Sequence, residues 1–283
     1  MGRRLDRALA ERGLARSRTA AARLIADGAV RVNGEPATRA ARTVDEHDEL
    51  AVVEPDRYVS RAAHKLLDAL DAFGIDVRGS AALDLGASTG GFTQVLLERG
   101  ARAVVALDVG HDQLDPLIRA DARVTAIEGE NARHLDRARL DRLLQAQRRD
   151  RPPLRAEEIA LATGDLSFIS LRHIVPVLPA TLPALRDVVL LVKPQFEVGR
   201  AHVRGGIVTD PQVAAERAID VLREAREAGL RPRGFRPSPV RGTHGNAEYL
   251  LWCSADDRPG GTTGTDASEW EDRVRSTIME GAA

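Results

Sequence analysis

Residues 82–92, ALDLGASTGGF, decide how this 283-residue chain folds. An apolar run ends in Asp84, crosses a turn built from Gly86, Ala87, Ser88, Thr89, Gly90 and Gly91, and enters FTQVLLERG at Phe92. That pattern predicts a buried strand, a tight turn and a helix. Glycines omit the side chains that would keep a ligand away from the backbone, and the first turn of the helix offers N–H groups with no intrahelical partner. The dinucleotide fingerprint G-x-G-x-x-G is not met, because Ser88 stands where the second glycine belongs, and nicotinamide binding is disfavoured accordingly.

Outward from this turn the chain alternates. AVVALD, VTAIEG, IALATGD, VVLLVKP and YLLWC read as buried strands, with helices near LDRARLDRLLQAQ and in DPQVAAERAIDVLREAREAG. Ahead of them SRAAHKLLDALDAFG is an amphipathic helix, with Ser60 as its cap and Ala62, Leu66, Leu70 and Phe73 on its buried side. The polar, proline-containing segment at 148–158 reads as an exposed loop. Alternation of this kind specifies an α/β domain, a Rossmann-like doubly wound sheet covered on both faces. Asp108 ends the second strand about twenty residues after the turn, where an acid can accept hydrogen bonds from the ribose of a nucleoside cofactor. Turn and acid together resemble the S-adenosylmethionine-dependent methyltransferases. The resemblance implies that the turn from Asp84 to Phe92 faces the cofactor's amino-acid end, that Asp108 and Val109 lie at its ribose, and that Asp165 steadies it. Asn131, beside Glu130, could approach the adenine or belong to an unliganded loop.

The net charge of −1 hides an uneven distribution. Ten arginines and four acids precede residue 44, an excess of six positive charges that suits a polyanionic partner. In that stretch Leu5, Ala8 and Leu9 share a helical face, Ser17 can cap a second helix closed by Gly28, and Asn33-Gly34 supplies a hairpin turn between Val32 and Glu35. Two short helices leading into a hairpin resemble the RNA-binding domain of the ribosomal-protein S-four type, over roughly residues 3 to 50. The resemblance makes this a small α+β head. Arg3, Arg4, Arg16, Arg18, Arg23 and Arg31, with Arg61 beyond it, are its candidate RNA contacts; the alternative is a solvated arginine-rich surface.

Four ionisable residues fall where an open sheet exposes its working edge: Lys65 before the first strand, Asp165 after the fourth, Lys193 after the fifth and Glu248 leading into the last. In that order they resemble the tetrad of the FtsJ (RrmJ) family of ribose 2′-O-methyltransferases, and SRAAHKL, GDLSFIS, LVKPQFEVG and GNAEYLLW resemble the TlyA family. A ribose hydroxyl is a weak nucleophile, so a base must take its proton as the oxygen attacks a sulfonium methyl group. The resemblance makes Lys193 the candidate base, with Lys65, Asp165 and Glu248 as its catalytic partners. A lysine base must be carried neutral, which burial and a second cation favour and adjacent carboxylates oppose. Taken singly, each has an ordinary alternative: Lys65 could sit on a solvated helix face, Lys193 could mark a strand exit, and Glu248 could pair with an arginine. Pyrimidine C5 methylation needs a thiol, and the sole cysteine, Cys253, lies in the apolar strand YLLWC. Phe168 could stack a base or pack on a helix.

Where the family usually carries an aromatic residue after Gly110, this chain has His111. The division implied is an RNA-binding domain at 1–54, a linker at 55–60, a methyltransferase domain at 61–255 and a polar tail at 256–283 ending in a possible helix. The resemblance implies an enzyme that uses S-adenosyl-L-methionine to methylate a ribose 2′-hydroxyl, on cytidine, in ribosomal RNA or ribosomal subunits. The expected protein is a cytoplasmic monomer with no metal and no membrane partner. Because TlyA-like proteins have been called haemolysins, a membrane-active toxin is a rival reading, opposed by the lack of a run near the ~20 apolar residues of a spanning helix. A non-catalytic ribosome-binding factor on the same fold is another.

Overall fold

A computed structural model of the chain describes residues 2–26, 28–53, 57–147, 153–199, 203–242, 245–255 and 266–282. Parts of the expected linker at 55–60, loop at 148–158 and tail at 256–283 lie outside the described residues. The chain divides into two compact units, Met1–Tyr58 and Val59–Ala283.

In the first unit two short helices, Leu5–Glu11 and Arg18–Ala26, lie beside a small sheet. The Ser17 hydroxyl accepts from Ala20 N at 3.1 Å, which satisfies an amide of the first turn. Val30–Val32 pairs antiparallel with Glu35–Pro36 and Leu50–Val52, and Asn33 and Gly34 both adopt positive φ, 54° and 79°, as a tight hairpin turn requires. Leu5, Leu9, Ile25, Val30 and Val32 are at most 1% exposed and form the core. Burying each stabilises the unit by roughly 1.5–3 kcal/mol against an entropic cost of similar total size.

The second unit is built on a seven-stranded sheet. Its strands are β1 (Ala81–Leu85), β2 (Ala103–Leu107), β3 (Val124–Ile127), β4 (Ile159–Gly164), β5 (Asp187–Val192), β6 (Arg231–Pro237) and β7 (Tyr249–Ser254). Spatially they run β6-β7-β5-β4-β1-β2-β3, the arrangement of a Rossmann-like methyltransferase sheet. Strands β1, β2 and β5 are buried at every residue, as a sheet covered on both faces requires. Its longer helices are α1 (Ala62–Phe73), α2 (Gly91–Glu98), α3 (Arg137–Gln147), α4 (Pro211–Glu227) and α5 (Ala267–Ala282). The strand order reverses between β1 and β4, so a crevice opens at the carboxyl ends of those strands.

Four features differ from the sequence reading. Strand β7 runs antiparallel to both β5 and β6, so the sheet is mixed. Strand β6 escapes pattern reading because Pro232, Gly234 and Pro237 mimic a loop; a sheet edge tolerates them. Gly234 is needed there, since a Cβ would stand 2.3 Å from the Phe73 ring. Helix α1 starts at Ala62 with Arg61 as its N-cap and no side-chain cap bond, and it buries Ala63, Leu66, Ala69 and Leu70 instead of the expected Ala62 and Phe73. Finally, the helix expected at the end of the polar tail is present but belongs to the core: Trp270, Val274 and Ile278 of α5, at i, i+4 and i+8, are at most 3% exposed. Arg223 and Glu271 make two 2.8 Å bonds that fasten α5 to α4.

Candidate active site

The glycine turn is shaped by its neighbours. Gly86 N and Ala87 N both donate to Leu107 O, at 2.9 and 3.2 Å, which folds the turn over the end of β2. Ser88 adopts a positive φ of 47° without being glycine, and its N–H donates to Asp108 Oδ2 at 2.8 Å. The acid thus holds the conformation that a second glycine would otherwise have allowed. A Cβ on Gly86 would come within 3.1 Å of Asp165 O, so the gap between the loops after β1 and β4 stays open only because the side chain is missing. Gly91 opens α2 against Ser60, whose Oγ would lie 2.2 Å from an added Cβ.

Two cavities meet at this turn. One, of about 320 Å³, is lined by Ala87, Thr89, Gly91, Phe92, Lys65, Lys193 and Glu248, with Arg61 and Arg241 also on its wall. The other, of about 720 Å³, is lined by Asp108, Val109, Gly110, Gln113, Asn131 and Phe168. Gly86, Ser88, Asp165 and Ser167 belong to both walls. Asp84 and Gly90 line neither. Asp84 is fully enclosed, its oxygens accepting from Thr93 Oγ1 at 2.7 Å and Thr163 Oγ1 at 3.2 Å, and burial pushes its carboxyl up to about 7. A Cβ on Gly90 would meet Leu114 and Ile118, so this glycine serves packing. His111 turns onto Gly129, where its Nε2 would be 2.6 Å from a Cβ, and is not among the residues lining the larger cavity.

Asp108 accepts from Ser88 N through Oδ2 and from Gly110 N through Oδ1, at 2.8 and 2.7 Å. Each oxygen keeps a second lone pair for a ligand hydroxyl. Glu130 is engaged by Arg139 through two bonds of 2.7 and 2.9 Å. Asn131 spends its side-chain oxygen on Arg133 N, capping a short helical turn, and leaves its amide nitrogen for the cavity.

Lys65, Asp165, Lys193 and Glu248 come together in the smaller cavity. Lys65 Nζ stands 2.7 Å from Glu248 Oε2 and 3.2 Å from Asp165 Oδ2. Lys193 Nζ is 2.7 Å from Asp165 Oδ1, off the axis of a hydrogen bond, and donates to Ser167 Oγ at 2.9 Å. Two cations and two anions balance within a site where Lys65 and Lys193 are 7% and Glu248 is 4% exposed. Such burial is tolerable only because each charge is paired. Asp165 is the bridge, one oxygen toward each lysine. Lys65 faces two carboxylates and Lys193 one.

Ser167 and Glu197 were not singled out from sequence. Ser167 stands two residues after Asp165 and takes the hydrogen bond from Lys193. Glu197 accepts from Ser170 Oγ at 2.5 Å and Leu171 N at 2.9 Å, so it ties the loop after β4 to the segment after β5 and fixes the spacing of Asp165 and Lys193. Burial holds its carboxyl above the usual range. Only their place inside GDLSFIS and KPQFE could have drawn attention to them. Phe168 is 92% exposed with φ 63°, its ring 5.1 Å from that of Phe196. Cys253 is buried and its thiol is pushed up to about 12, which removes it as a nucleophile.

The head's candidate arginines, Arg3, Arg4, Arg16, Arg18, Arg23 and Arg31, are all exposed. Among the described residues no cluster of three or more His, Cys, Asp or Glu could hold a metal ion, and no helix is long and apolar enough to cross a membrane.

Comparison with known proteins gives the family. Residues 58–255 match the FtsJ-like methyltransferase model and residues 3–50 the S4 domain model. A curated relative from Mycobacterium tuberculosis, named 16S/23S rRNA (cytidine-2'-O)-methyltransferase TlyA, is 45% identical over 98% of each chain. The protein named Hemolysin A of Brachyspira hyodysenteriae is 38% identical over 87% of this chain and 98% of its own. A solved structure of a candidate hemolysin from Streptococcus thermophilus is 34% identical, covers 99% of this chain and 98% of that one, and superposes with a TM-score of 0.67. With a two-cavity cleft on a Rossmann-like sheet, a head of S-four type and identity along nearly its whole length, the chain belongs to the TlyA family of FtsJ-like methyltransferases.

Proposed function

We propose that this protein transfers a methyl group from S-adenosyl-L-methionine to the 2′-hydroxyl of a ribose, in cytidine of ribosomal RNA. The observation that carries the reading is the paired set Lys65, Asp165, Lys193 and Glu248, which shares Asp165 with the cavity that contains Asp108. The larger cavity fits the cofactor. Asp108 has lone pairs for ribose hydroxyls, Asn131 has a free amide for adenine, and Gly86 leaves backbone room beside Asp165. When bound, S-adenosylmethionine supplies an electrophilic methyl group on its sulfonium.

The protein's own groups do the rest. Lys65, paired with two carboxylates, fixes Asp165 and Glu248. Lys193, with one shared carboxylate and a hydroxyl acceptor, is the member placed to take the 2′-hydroxyl proton as the ribose oxygen attacks carbon. General base action of this kind contributes roughly 10²–10⁴-fold, and holding the two reactants in contact contributes further. Arg61, exposed at the smaller cavity, offers a cation to an RNA phosphate, and Phe168 offers a ring to an unstacked base. The arginines of the head supply further phosphate contacts.

The working protein is cytoplasmic in this reading, which ribosomal RNA as its substrate supports. The test is incubation with methyl-labelled cofactor and separated ribosomal subunits, followed by digestion to nucleosides. Label in 2′-O-methylcytidine supports the reading, and label in a methylated base refutes it.

A further inference from the structure

Asp6 is a buried acid between exposed arginines at the start of the head. It stands in the first turn of the helix Leu5–Glu11 and is 3% exposed. Arg4 donates to it through Nε at 3.1 Å and Nη2 at 3.0 Å, and Arg18 donates through Nε at 2.9 Å. Arg4 immediately precedes that helix and Arg18 opens the next, so one carboxylate joins two elements. Yet the Arg4 and Arg18 side chains remain 49% and 61% exposed. The hydrogen bond from Arg4, with Arg18 adding to it, outweighs burial and brings the Asp6 carboxyl down to about 2, so the anion persists at any working pH.

Other arginines of the head are held differently. Arg3 and Arg7 pair with Glu11, whose side chain is 35% exposed, and such solvated pairs constrain little. Arg31 reaches only the carbonyl of Gly34 in its own turn, at 3.3 Å. Arg4 and Arg18 alone among the described candidates converge on an enclosed anion.

We infer that Asp6 is a positioning residue for RNA binding: it fixes the guanidiniums of Arg4 and Arg18 side by side so that their outer N–H groups meet backbone phosphate already aligned. This rests on the RNA-binding role of the head given above. The Nη1 group of Arg4 and both Nη groups of Arg18 are left over from the carboxylate, and a guanidinium fork fixed in advance loses less freedom per phosphate bond than a loose one. Because Asp6 is enclosed and the guanidiniums reach solvent, RNA meets the cations and not the anion.

Removing an acid from a polyanion-binding surface ordinarily tightens binding; here Asp6→Asn in the full chain weakens it. Affinity for RNA extracted from purified ribosomal subunits is measured between 50 and 200 mM KCl. Asp6→Asn is expected to lose about ten-fold, with the slope of log K against log salt falling by about one for each phosphate no longer bound. The same substitution adds nothing in an Arg4→Ala/Arg18→Ala background, since it acts through those residues. Arg18→Lys, which keeps the charge but not the fork and needs no folded-state rearrangement, also binds more weakly, and it serves as the test should Asp6→Asn fail to fold. Unchanged or tighter binding by Asp6→Asn, full additivity in the double background, or wild-type binding by Arg18→Lys overturns the inference. Unchanged affinity of Arg4→Ala/Arg18→Ala would instead remove these arginines from the proposed RNA contacts, and Asp6 with them.

Discussion

Lys193→Met leaves Asp165 and Glu248 facing Lys65 alone, an excess of one negative charge in a nearly closed site. At the 2.7 Å separation of Lys193 Nζ and Asp165 Oδ1, with an effective dielectric constant of about 20, the missing attraction is about 6 kcal/mol before desolvation is counted. Removing one partner of such a pair destabilises by roughly 3–5 kcal/mol, because the other charge remains buried. Asp165→Asn errs in the opposite direction, leaving two ammonium groups with one carboxylate, and is expected to cost about as much. The double variant keeps only Lys65 and Glu248, one cation and one anion 2.7 Å apart. Its loss should therefore fall short of the sum of the single losses by about 2–3 kcal/mol. Urea unfolding of the four proteins measures this, and methyl transfer should be slowed by roughly 10²–10⁴-fold in both variants that lack Lys193, since charge balance is restored in the double variant without the base. Losses additive to within about 0.5 kcal/mol would show that the charges do not share one balance.

Burial raises Asp84 from an ordinary value of 3.8 to about 7, so the folded protein binds that proton more tightly than the unfolded chain. The resulting stabilisation is complete below the unfolded value and lost as pH rises toward 7, on the order of 4 kcal/mol at most. Asp84→Asn should remove this part of the decline in melting temperature between pH 4 and 7; an unchanged decline would contradict it. Asp108→Ala is expected to weaken S-adenosylmethionine and S-adenosylhomocysteine by the same factor, about 10- to 100-fold by calorimetry, because the bonds it removes are to ribose. A loss confined to the sulfonium ligand would move that contact elsewhere. Trp270→Ala should cost about 3–5 kcal/mol in denaturant unfolding; a loss under about 1 kcal/mol would detach α5 from the core.

Local chemistry explains what the sequence disclosed. The ALDLGASTGGF turn and the Asn33-Gly34 hairpin are legible because each needs particular residues at particular dihedral angles, and the strands around Asp84 and Asp108 are legible because burial on both faces makes them apolar throughout. Strand β6 is invisible for the converse reason, being an edge strand whose prolines carry no sheet signal. The direction of β7 depends on packing, which no short pattern encodes. The apolar seam of α5 has long polar intervals, so Trp270, Val274 and Ile278 look isolated until the helix is laid on the core. In the candidate site the identity of the ionisable residues could be read along the chain, but not the sharing of charge. That Asp165 bridges both lysines, and that Lys65 holds two carboxylates while Lys193 holds one, depends on contacts spanning up to 183 positions.

The most direct measurement is single-turnover methyl transfer by Lys193→Ala, paired with calorimetric titration of the cofactor. Lys193 lines the smaller cavity and not the one containing Asp108. The expected result is cofactor binding close to wild type, with formation of 2′-O-methylated nucleoside slowed by roughly 10²–10⁴-fold. Transfer at the wild-type rate with the cofactor bound would contradict a lysine base and require another group to take the ribose proton.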